Sequence, residues 1–451
     1  MKQYCIIKFA NNKKAKNLKS TDTDILIVGG GPAGMAAAIT AAKEGLKTVL
    51  LERGDFCGSK NMFGGAIYTT PTLEVYPDFI KEAPLERGLT KHTYALLGKE
   101  DGTIVSYDKP VNNENYSAYS VMRPKWDRWC ATKAQDTGAY IVPQIVVEDL
   151  IQENGKFCGV KTADEEFRAK VVILADGVNS LLAKKYNLRK PIDSKNVALS
   201  VKQTLSLSKE KIEDRFNLDE NNGAVYTILG GPMLGITGLG FLYTNKETIS
   251  IGLGITLEDL NQAQKAPYVF LEELKTHPAI APLIKGSEIV EYSAHLIPEG
   301  GYNALPKLVS DGLLIAGDAA MLVNNIHWEG SNLAMISGKY AAIAAVKAIQ
   351  NNDTSRKSLQ VYEKMLQESF ILKDLKTYRN VMGTIENNSQ TFLGFYPEKI
   401  NEFFETFTAT DSIAKKEKYR AFIQKTLKER NLLQIASDGI KIAKLAAEAI
   451  L

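Results

Sequence analysis

The hydrophobic pattern near the amino terminus predicts a strand, a glycine-rich turn, a helix and a second strand. Ile25–Val28 is a short apolar run, typical of a buried parallel strand, and Gly29, Gly31 and Gly34 follow it with the spacing GxGxxG. An alanine-rich helical segment comes next, and the apolar run Thr48–Leu51 predicts the second strand. This order of elements is that of a βαβ unit that binds a dinucleotide.

Each residue type in this unit has a physical reason. Gly29 permits the tight turn, Gly31 lets backbone N–H groups approach a pyrophosphate, and Gly34 lets the helix pack close to the strand. Glu52 ends the second strand, where its carboxylate can accept hydrogen bonds from ribose hydroxyls. We therefore predict that this unit holds the adenosine side of a dinucleotide.

Two later segments repeat the pattern of a buried strand that stops near an acidic residue. Val171–Leu174 is followed by Asp176, and Leu313–Ala316 is followed by Asp318. Because long inserts separate the three elements, they belong to one site only if the chain folds back on itself. The three elements lie at 25–52, 171–177 and 313–338.

The last of these elements indicates which dinucleotide is bound. Asp318 can accept hydrogen bonds from ribityl or ribose hydroxyls, and the N–H groups near Gly330 and Ser331, where a small-residue helix begins, can face a carbonyl or phosphate. A nicotinamide dehydrogenase normally holds its cofactor with one contiguous unit, whereas an extended FAD is held at its adenine end and again near its ribityl chain. The scattered elements therefore favour FAD.

The remaining chain alternates between strand-like and helical patterns. The expected strands occupy 139–147, 156–162 and several segments within 195–257. The expected helices occupy 119–138 after Pro124 and, from Gly330 onward, most of the tail, including 359–375 and 415–427.

These elements predict an α/β chain (α+β overall) in which a Rossmann-like FAD-binding domain is interleaved with a mixed-sheet domain. The FAD-binding domain is expected at 22–70, 117–190 and 309–350. The substrate-side sheet domain is expected at 71–116 and 191–308, and a helical carboxyl-terminal region at 351–451.

Composition limits the function classes. A length of 451 residues suggests two or three interleaved units, and a net charge of +3 gives no support to a nucleic-acid role. The four cysteines are widely spaced without a CxxC pair, which indicates free thiols in a reducing compartment rather than a metal site. No apolar run reaches the length of a membrane span, and no signal-peptide core is present, so we expect a cytoplasmic protein.

Residues 1–21 differ from the rest because they carry six lysines and no acidic residue. One interpretation is a flexible, solvated basic tail. The other is attraction to anionic lipid, which would assist membrane contact without anchoring the protein alone.

Six motifs give the chain a family resemblance. They are VGGGPAG, GSKNMFGG, RPKWDRW, LADGVNS, AGDAAMLVNN and EGSNLAMISG. In this order they resemble one FAD superfamily, which includes geranylgeranyl reductases, aromatic hydroxylases and electron transfer flavoprotein–quinone oxidoreductases. The second and last motifs are most similar to FixC-type dehydrogenases, which work with FixA, FixB and FixX. The resemblance covers most of residues 22–345.

The resemblance implies a role for each matching position. The adenosine and pyrophosphate half of FAD is expected at Gly29, Gly31, Pro32, Ala33, Gly34, Glu52 and Arg53. The isoalloxazine ring is expected beside Met62, Phe63, Gly64 and Gly65. The ribityl chain is expected at Gly317 and Asp318, and the flavin O2 edge at Gly330 and Ser331.

Three further positions complete the implied site. Arg123 resembles the family arginine that neutralises the phosphate or ribityl region. The alternative is that Arg123 forms an ion pair at the protein surface. Val147 is at the position where the family contacts adenine through backbone groups. A residue of an ordinary core strand would have the same appearance in the sequence. Asp176 is expected among the cofactor-binding residues.

The histidines and Cys57 complete the list of candidate reactive groups. His327 is the histidine we place nearest the flavin, although a structural role is favoured. Related prenyl reductases have a cysteine within the glycine loop beside the flavin, whereas Cys57 precedes that loop and is interpreted as a buried thiol. We predict no catalytic acid–base group and no metal site, because electron transfer requires proximity and a tuned potential instead.

The cysteines also bear on the partners. Quinone oxidoreductases of this kind carry an iron–sulfur cluster on four cysteine thiolates, and no cysteine follows Cys158. The resemblance therefore implies a separate ferredoxin-like subunit, as FixX is.

The resemblance implies that the protein takes electrons from an electron transfer flavoprotein (FixA/FixB-like) and reduces a membrane quinone at the cytoplasmic face. Residues 227–244 and 392–404 are candidates for an apolar quinone entrance or membrane contact, although core packing would explain both. The alternatives are a geranylgeranyl-type reductase, a flavin monooxygenase, and a flavin-bearing subunit that is active only within a complex.

Overall fold

The computed structural model describes residues 23–60, 65–109 and 116–450. The basic segment 1–21 and the expected flavin-loop residues Met62, Phe63 and Gly64 lie outside these ranges. The strands are β1 Thr23–Val28, β2 Thr48–Leu51, β3 Ala66–Tyr68, β4 Leu85–Leu97, β5 Gly102–Asp108, β6 Ala118–Val121, β7 Tyr140–Val142, β8 Asp149–Glu153, β9 Lys156–Lys161, β10 Glu166–Leu174, β11 Val197–Ser206, β12 Asn222–Gly230, β13 Gly238–Thr244, β14 Thr248–Thr256, β15 Glu288–Pro298, β16 Val309–Ser310 and β17 Leu313–Ile315.

Short α-helices are spread along the chain, and the last third of the described residues is mostly helical. The α-helices are α1 Pro32–Lys43, α2 Thr69–Leu73, α3 Phe79–Glu82, α4 Arg123–Asp136, α5 Leu181–Lys185, α6 Lys209–Phe216, α7 Leu257–Ala263, α8 Pro267–Thr276, α9 Ala281–Ile284, α10 Ser331–Gln350, α11 Arg356–Leu359, α12 Val361–Glu368, α13 Phe370–Thr377, α14 Val381–Glu386, α15 Tyr396–Thr408, α16 Lys415–Glu429 and α17 Leu432–Ile450. A π-helical turn, Gln390–Phe395, precedes α15.

The first sheet has the strand order β16-β17-β10-β1-β2-β7, in which β17, β10, β1, β2 and β7 run parallel. Val28 is in register with both Leu174 and Leu51, and Leu174 is in register with Ile315. The carboxyl ends of these strands therefore lie at one level. The residues that follow them are brought to a common edge, which is where open parallel sheets bind ligands.

Helices α1 and α10 pack against each other beside this sheet. A Cβ atom on Gly338 would overlap the carbonyl oxygen of Ala33, so the close approach of the two helices requires glycine there. Gly317, with φ +66°, turns the chain out of β17, and its N–H donates a 3.0 Å hydrogen bond to Ser337 Oγ on α10. The two helices that begin at the ligand edge are thus fixed to one another.

The second sheet has the order β15-β11-β14-β13-β12-β4-β6-β3, with β5 added to β4, and it is antiparallel except for the β12–β4 pair. Its own hydrophobic core includes Ile251, Leu253, Phe270 and Leu274, because helix α8 covers one face of the sheet. The predicted α/β fold with a second mixed sheet and a helical carboxyl-terminal region is confirmed.

Some predicted boundaries differ in the structure. The strand expected over 139–147 is limited to β7, because Pro143 has no N–H to donate and Gln144 has φ +62°. Strands β3 and β6 lie within the segments expected for the FAD-binding domain but pair in the second sheet.

One strand prediction and one helix prediction also need correction. The sheet-like segment 195–257 contains helix α6, whose buried Ile212 and Phe216 have the i,i+4 spacing of a helix face. The helix expected over 359–375 is three short helices, and Ser369 begins the last of them by accepting a hydrogen bond from the Ile371 N–H.

Within the described residues, no helix is both long enough and apolar enough to cross a membrane.

Candidate cofactor and substrate site

A cavity of about 1490 Å³ lies between the ligand edge of the first sheet and one face of the second sheet. Residues that follow β1, β2, β10 and β17 line one end of it. Its other walls come from β4, β12, β13, β15, the segment 323–331 and helix α14. A cavity of this size holds a ligand larger than a typical drug molecule.

The glycines after β1 divide into packing and binding positions. Gly29 has φ +103°, and a Cβ there would overlap the Ala175 carbonyl oxygen. A Cβ on Gly34 would overlap the carbonyl oxygen of Gly29, so Gly34 serves helix packing and does not line the cavity. Gly31 lines the cavity, and a Cβ there would meet nothing within 4 Å. Space for a pyrophosphate is therefore open beside Gly31, together with Pro32 and Ala33, which also line the cavity.

Backbone groups hold the Glu52 carboxylate in place at the end of β2. Its Oε2 accepts a 2.7 Å hydrogen bond from the Gly30 N–H, and its Oε1 accepts one of 2.6 Å from the Gly54 N–H. Glu52 is buried and lines the cavity, as does the adjacent Arg53. Each carboxylate oxygen keeps a second lone pair that can accept from a ribose hydroxyl.

Arg123 is the first residue of helix α4, and the surface ion pair considered for it is wrong. The side chain is buried and donates from Nε and Nη2 to the Asp127 carboxylate, at 3.1 and 3.0 Å. It also lines the cavity, where its charge acts on Asp318. A buried guanidinium of this kind places a fixed positive charge at the cavity wall.

Asp318 and Asp176 are partly buried acidic residues at the same edge. Burial raises the pKa of Asp318 to about 6, although Arg123 opposes this effect. Burial likewise raises the pKa of Asp176 to about 6, and its Oδ1 has no hydrogen-bond partner. A buried oxygen without a partner is costly, and a ligand that donates a hydrogen bond would relieve that cost.

The segment after β7 brings Val147 to the cavity without a strand. The Ile145 N–H donates to the Glu52 carbonyl oxygen, and the Gln144 N–H donates to that of Gly54, each at 2.9 Å. Val147 lines the cavity next to the Glu52 loop. Val147 thus lies outside any strand, packs against the core and lines the cavity.

The expected flavin end is built from the start of α10 and from Gly65. Gly330 and Ser331 line the cavity, and Ser331 Oγ donates a 3.3 Å hydrogen bond to the Ala66 carbonyl oxygen. Gly65 also lines the cavity, and a Cβ there would overlap the Tyr243 ring. Gly317 does not line the cavity and acts in the turn before Asp318.

Aromatic side chains of the second sheet form the far wall, and sequence reasoning did not single them out. Leu239, Phe241 and Tyr243 alternate along β13 and line the cavity, and the last two rings stack with centroids 5.4 Å apart. Their period-two spacing within 227–244 was the available signal. This segment therefore lines the cavity, as does Leu393 of the segment 392–404.

The cavity reaches the surface beside two exposed aromatic residues. Tyr94 and Trp328 both line it, with exposed fractions of 48% and 45% and ring centroids 6.4 Å apart. His327 lines the same region, and its Nε2 lies 3.0 Å from the Tyr378 hydroxyl. His327 thus makes a structural contact with Tyr378, in line with the role that the sequence favoured, and it also lines the cavity.

Cys57 is buried beneath the glycine loop. Burial, and then the charges of Glu52 and Asp127, raise its pKa to about 12, so the thiol is unreactive. The interpretation of Cys57 as a buried thiol is confirmed. Among the described residues, no group of three or more histidine, cysteine or acidic side chains is arranged to hold a metal ion.

Comparisons with known proteins agree with this geometry. Residues 24–184 match the FAD dependent oxidoreductase family, and residues 381–446 match the ETF-QO/FixC family C-terminal domain. Protein FixC of Azorhizobium caulinodans is 40% identical over 426 residues, which cover 93% of this chain and 98% of the relative. Protein FixC of Rhizobium meliloti is 39% identical over 426 residues, with the same two coverages.

Solved structures share the fold at lower identity. A geranylgeranyl bacteriochlorophyll reductase-like protein from Thermoplasma acidophilum has a TM-score of 0.70 at 23% identity, covering 90% of this chain and 98% of its own. A myxobacterial chondrochloren halogenase, an FAD-dependent halogenase, has a TM-score of 0.61 at 16% identity, covering 85% and 96%.

The near-complete coverage by FixC relatives at about 40% identity extends through both sheets and the helical tail. The open cradle at Gly31, the unpartnered Asp176 oxygen and the cavity volume fit an extended FAD, which is the cofactor of this family. The chain therefore belongs to the FixC family of FAD-dependent oxidoreductases.

Proposed function

We propose that this protein transfers electrons from an electron transfer flavoprotein to a membrane quinone, within a complex that contains FixA/FixB-like and FixX-like subunits. The observation that carries the proposal is the cavity, which extends from the glycine loop to the half-exposed aromatic pair Tyr94 and Trp328. One end suits a dinucleotide, and the other end provides an apolar route for a second ligand.

The residues at the first end have proposed roles toward FAD. The Gly31 loop with Pro32 and Ala33 would hold the pyrophosphate, Glu52 and Arg53 the adenosine ribose region, and Val147 the adenine. Arg123 would balance the phosphate charge, and Asp176 and Asp318 would accept hydrogen bonds from hydroxyl groups. Backbone N–H groups at Gly330 and Ser331 would stabilise negative charge at the flavin O2 edge. When bound, FAD supplies the redox chemistry.

The proposed membrane contact rests on a surface that we call the apolar face. It consists of Tyr94, Val105, Tyr107, Trp328, Phe403, Phe404 and Phe407, each at least 40% exposed. In the β4–β5 hairpin, Tyr94 is paired with Val105, and Thr103, Val105 and Tyr107 point to one side because alternate strand residues share a face. Helix α15 is attached to that side, since Thr103 Oγ1 donates a 2.7 Å hydrogen bond to Asn401 Oδ1.

Charge next to the apolar face supports the same proposal. Phe403 packs against Phe422 of helix α16, whose sequence KKEKYRAFIQKTLKE has six basic and two acidic residues. A basic helix beside exposed phenylalanines suits the surface of a bilayer with anionic lipids, since apolar burial and charge attraction add. Peripheral contact at the cytoplasmic face of the membrane would let a quinone enter past Tyr94 and Trp328.

An anaerobic two-step reduction tests the proposal. The purified holoprotein is mixed with NADH and a candidate electron transfer flavoprotein, and a quinone analogue is then added. We expect bleaching of the flavin absorbance that requires the partner and reverses with the quinone. Rapid bleaching by NADPH alone, without the partner, would contradict this function.

The apolar cavity would also accommodate an isoprenoid chain, as in a geranylgeranyl-type reductase. Saturated isoprenoids in a lipid extract after expression of the protein would favour that activity. Their absence, together with quinone-dependent reoxidation, would favour the electron-transfer function.

A further inference from the structure

Glu299, the residue that follows strand β15, lines the cavity beside the segment 323–331. His295, Ile297 and Glu299 alternate at the end of β15 and line the cavity. Four residues along a strand span about 13 Å, so Glu299 lies well beyond His295. Burial, and then the positive charges of Arg123 and Arg53, lower the pKa of His295 to about 4. Its neighbour Asn325 belongs to the segment that carries Trp328 at the cavity mouth and Gly330 at the expected flavin edge, so Glu299 lies where a second ligand would meet the flavin.

The backbone of Glu299 is fixed on both sides. Its N–H donates a 2.7 Å hydrogen bond to the Asn196 carbonyl oxygen. Its carbonyl oxygen accepts a 2.8 Å hydrogen bond from Asn325 Nδ2, and Asn325 also lines the cavity. The backbone of Glu299 is thus held at a defined position beside the loop that leads to Gly330.

Several charged groups influence Glu299, directly or through Glu386. Glu386 on α14 is the acidic group whose charge acts on Glu299, and it is partly buried. Lys195 and Asp193 of the turn before β11, and Glu258 and Asp259 of α7, act in turn on Glu386. Lys195 and Glu258 form an ion pair of 3.6 Å at the surface. His327 and Glu329 are the other titratable groups that line this part of the cavity from the facing loop.

We propose that Glu299 donates a proton to the quinone oxygen during its reduction. This inference rests on the proposed quinone-reducing function. Converting a quinone to a quinol adds two electrons and two protons, whereas the reduced, anionic cofactor delivers two electrons and one proton. The O–H bond of the Glu299 carboxyl breaks as the O–H bond of the quinol forms, which supplies the second proton and leaves a carboxylate to be reprotonated.

The acid strength of the group agrees with this role. Burial, and then the charge of Glu386, raise the pKa of Glu299 to about 7, although Asn325 opposes this effect. Burial also raises the pKa of Glu386. A proton donor works best when its pKa lies near the working pH, because it is then protonated and still readily gives up the proton.

The test compares Glu299→Gln with the wild-type holoprotein in stopped-flow reoxidation by a quinone analogue. We expect reoxidation of the variant to be slower by about 100-fold, which is within the range for loss of a general acid, and to lose its pH dependence around neutral pH. Reduction by the partner flavoprotein and the FAD content should not change. An unchanged reoxidation rate and pH profile would overturn the proposal.

A second readout does not depend on turnover. Infrared difference spectra recorded over a pH titration should show a protonated carboxyl C=O band that disappears around neutral pH in the wild type and is absent in Glu299→Gln. In Glu386→Gln the band should disappear at lower pH, because a neighbouring negative charge has been removed. A band that persists in Glu299→Gln would assign the titration to another group and overturn the proposal.

Glu272→Gln provides the matched control. Glu272 is an exposed carboxylate on α8 that accepts hydrogen bonds from Gln203 and Lys275 and does not line the cavity. The control should keep the wild-type rate and infrared band. If the wild type itself is not reoxidised by the quinone, then the proposed function fails and this inference fails with it. If the quinone reoxidises the wild type, and Glu299→Gln is reoxidised at the same rate with the same pH profile, then this inference fails and the proposed function stands.

Discussion

Two acidic side chains at the ligand edge are held in opposite ways. Glu52 accepts hydrogen bonds from two backbone N–H groups, which fix the position of its carboxylate before any ligand binds. Asp318 instead has its pKa raised to about 6 by burial, against the charge of Arg123. The proposed ribose contact is thus preorganised, whereas the proposed ribityl contact has a desolvated carboxyl that a hydroxyl donor would satisfy.

Asp318→Asn should therefore make the FAD-free protein more stable at neutral pH. The folded-state pKa of about 6 exceeds the unfolded value of 3.8, so the folded state binds the proton more tightly between these values. The contribution of Asp318 to stability then falls as the pH rises through this window. We expect the variant to gain on the order of 1–3 kcal/mol at neutral pH and little near pH 4, measured by urea unfolding.

Asp24→Asn is a control with the opposite sign. Burial alone would raise the pKa of Asp24, but a 2.8 Å ion pair with Lys170 and a hydrogen bond from the Lys47 N–H lower it. Removing this charge should reduce the free energy of unfolding at neutral pH. A loss of stability at both pH values in Asp318→Asn would show that its carboxylate is satisfied in the FAD-free state.

At the scale of elements, the register of the parallel strands assembles the ligand edge. Gly29, Glu52, Asp176 and Asp318 each follow a strand of the first sheet, and those strands end at one level. Buried strands, glycine spacing and acidic strand ends are local signals, which is why the sequence alone predicted this half of the site.

Gly34→Ala and Gly31→Ala separate packing from binding at helix α1. In Gly34→Ala the new Cβ overlaps the Gly29 carbonyl oxygen, so we expect a loss of about 1–3 kcal/mol and a lower melting temperature. Gly31 has φ −84° and open space around its Cβ position, so alanine should leave stability within about 0.5 kcal/mol.

The two variants should also differ in cofactor retention. In Gly31→Ala the methyl group projects into the expected pyrophosphate space, and the ratio of flavin to protein absorbance after gel filtration should fall. Full flavin retention in Gly31→Ala, or an unchanged melting temperature in Gly34→Ala, would contradict the division between these two glycines.

Other elements could not be predicted because they depend on tertiary contacts or on a few residues that interrupt the local pattern. The strand expected over 139–147 is limited by Pro143 and by the positive φ of Gln144. Helix α6 lies within a segment that reads as strands, and only the i,i+4 pair of Ile212 and Phe216 indicates it. In both cases a few residues outweigh the average pattern of a longer window.

At the scale of the whole molecule, the cavity depends on contacts that no local pattern contains. Tyr94, Phe241, Glu299 and Trp328 come from four separate parts of the chain and share one wall or mouth. Each has an ordinary interpretation in sequence as a strand or loop residue. The substrate half of the site was therefore predicted only as two apolar segments, whereas the cofactor half was predicted residue by residue.

The apolar face gives a prediction about membrane binding that involves the whole molecule. The double variant Phe404→Glu/Phe407→Glu should lose binding to vesicles that contain anionic lipid, because each buried phenylalanine contributes about 1.5–3 kcal/mol. Loss of two such contacts corresponds to a fall of about 100-fold or more in partitioning, measured by vesicle flotation. Melting temperature and FAD content check that the variant is folded. Val290→Glu changes a similarly exposed residue, at 59%, on the edge strand β15 outside this face and should bind like the wild type. Equal flotation of the double variant and the wild type would place the membrane contact elsewhere on the molecule.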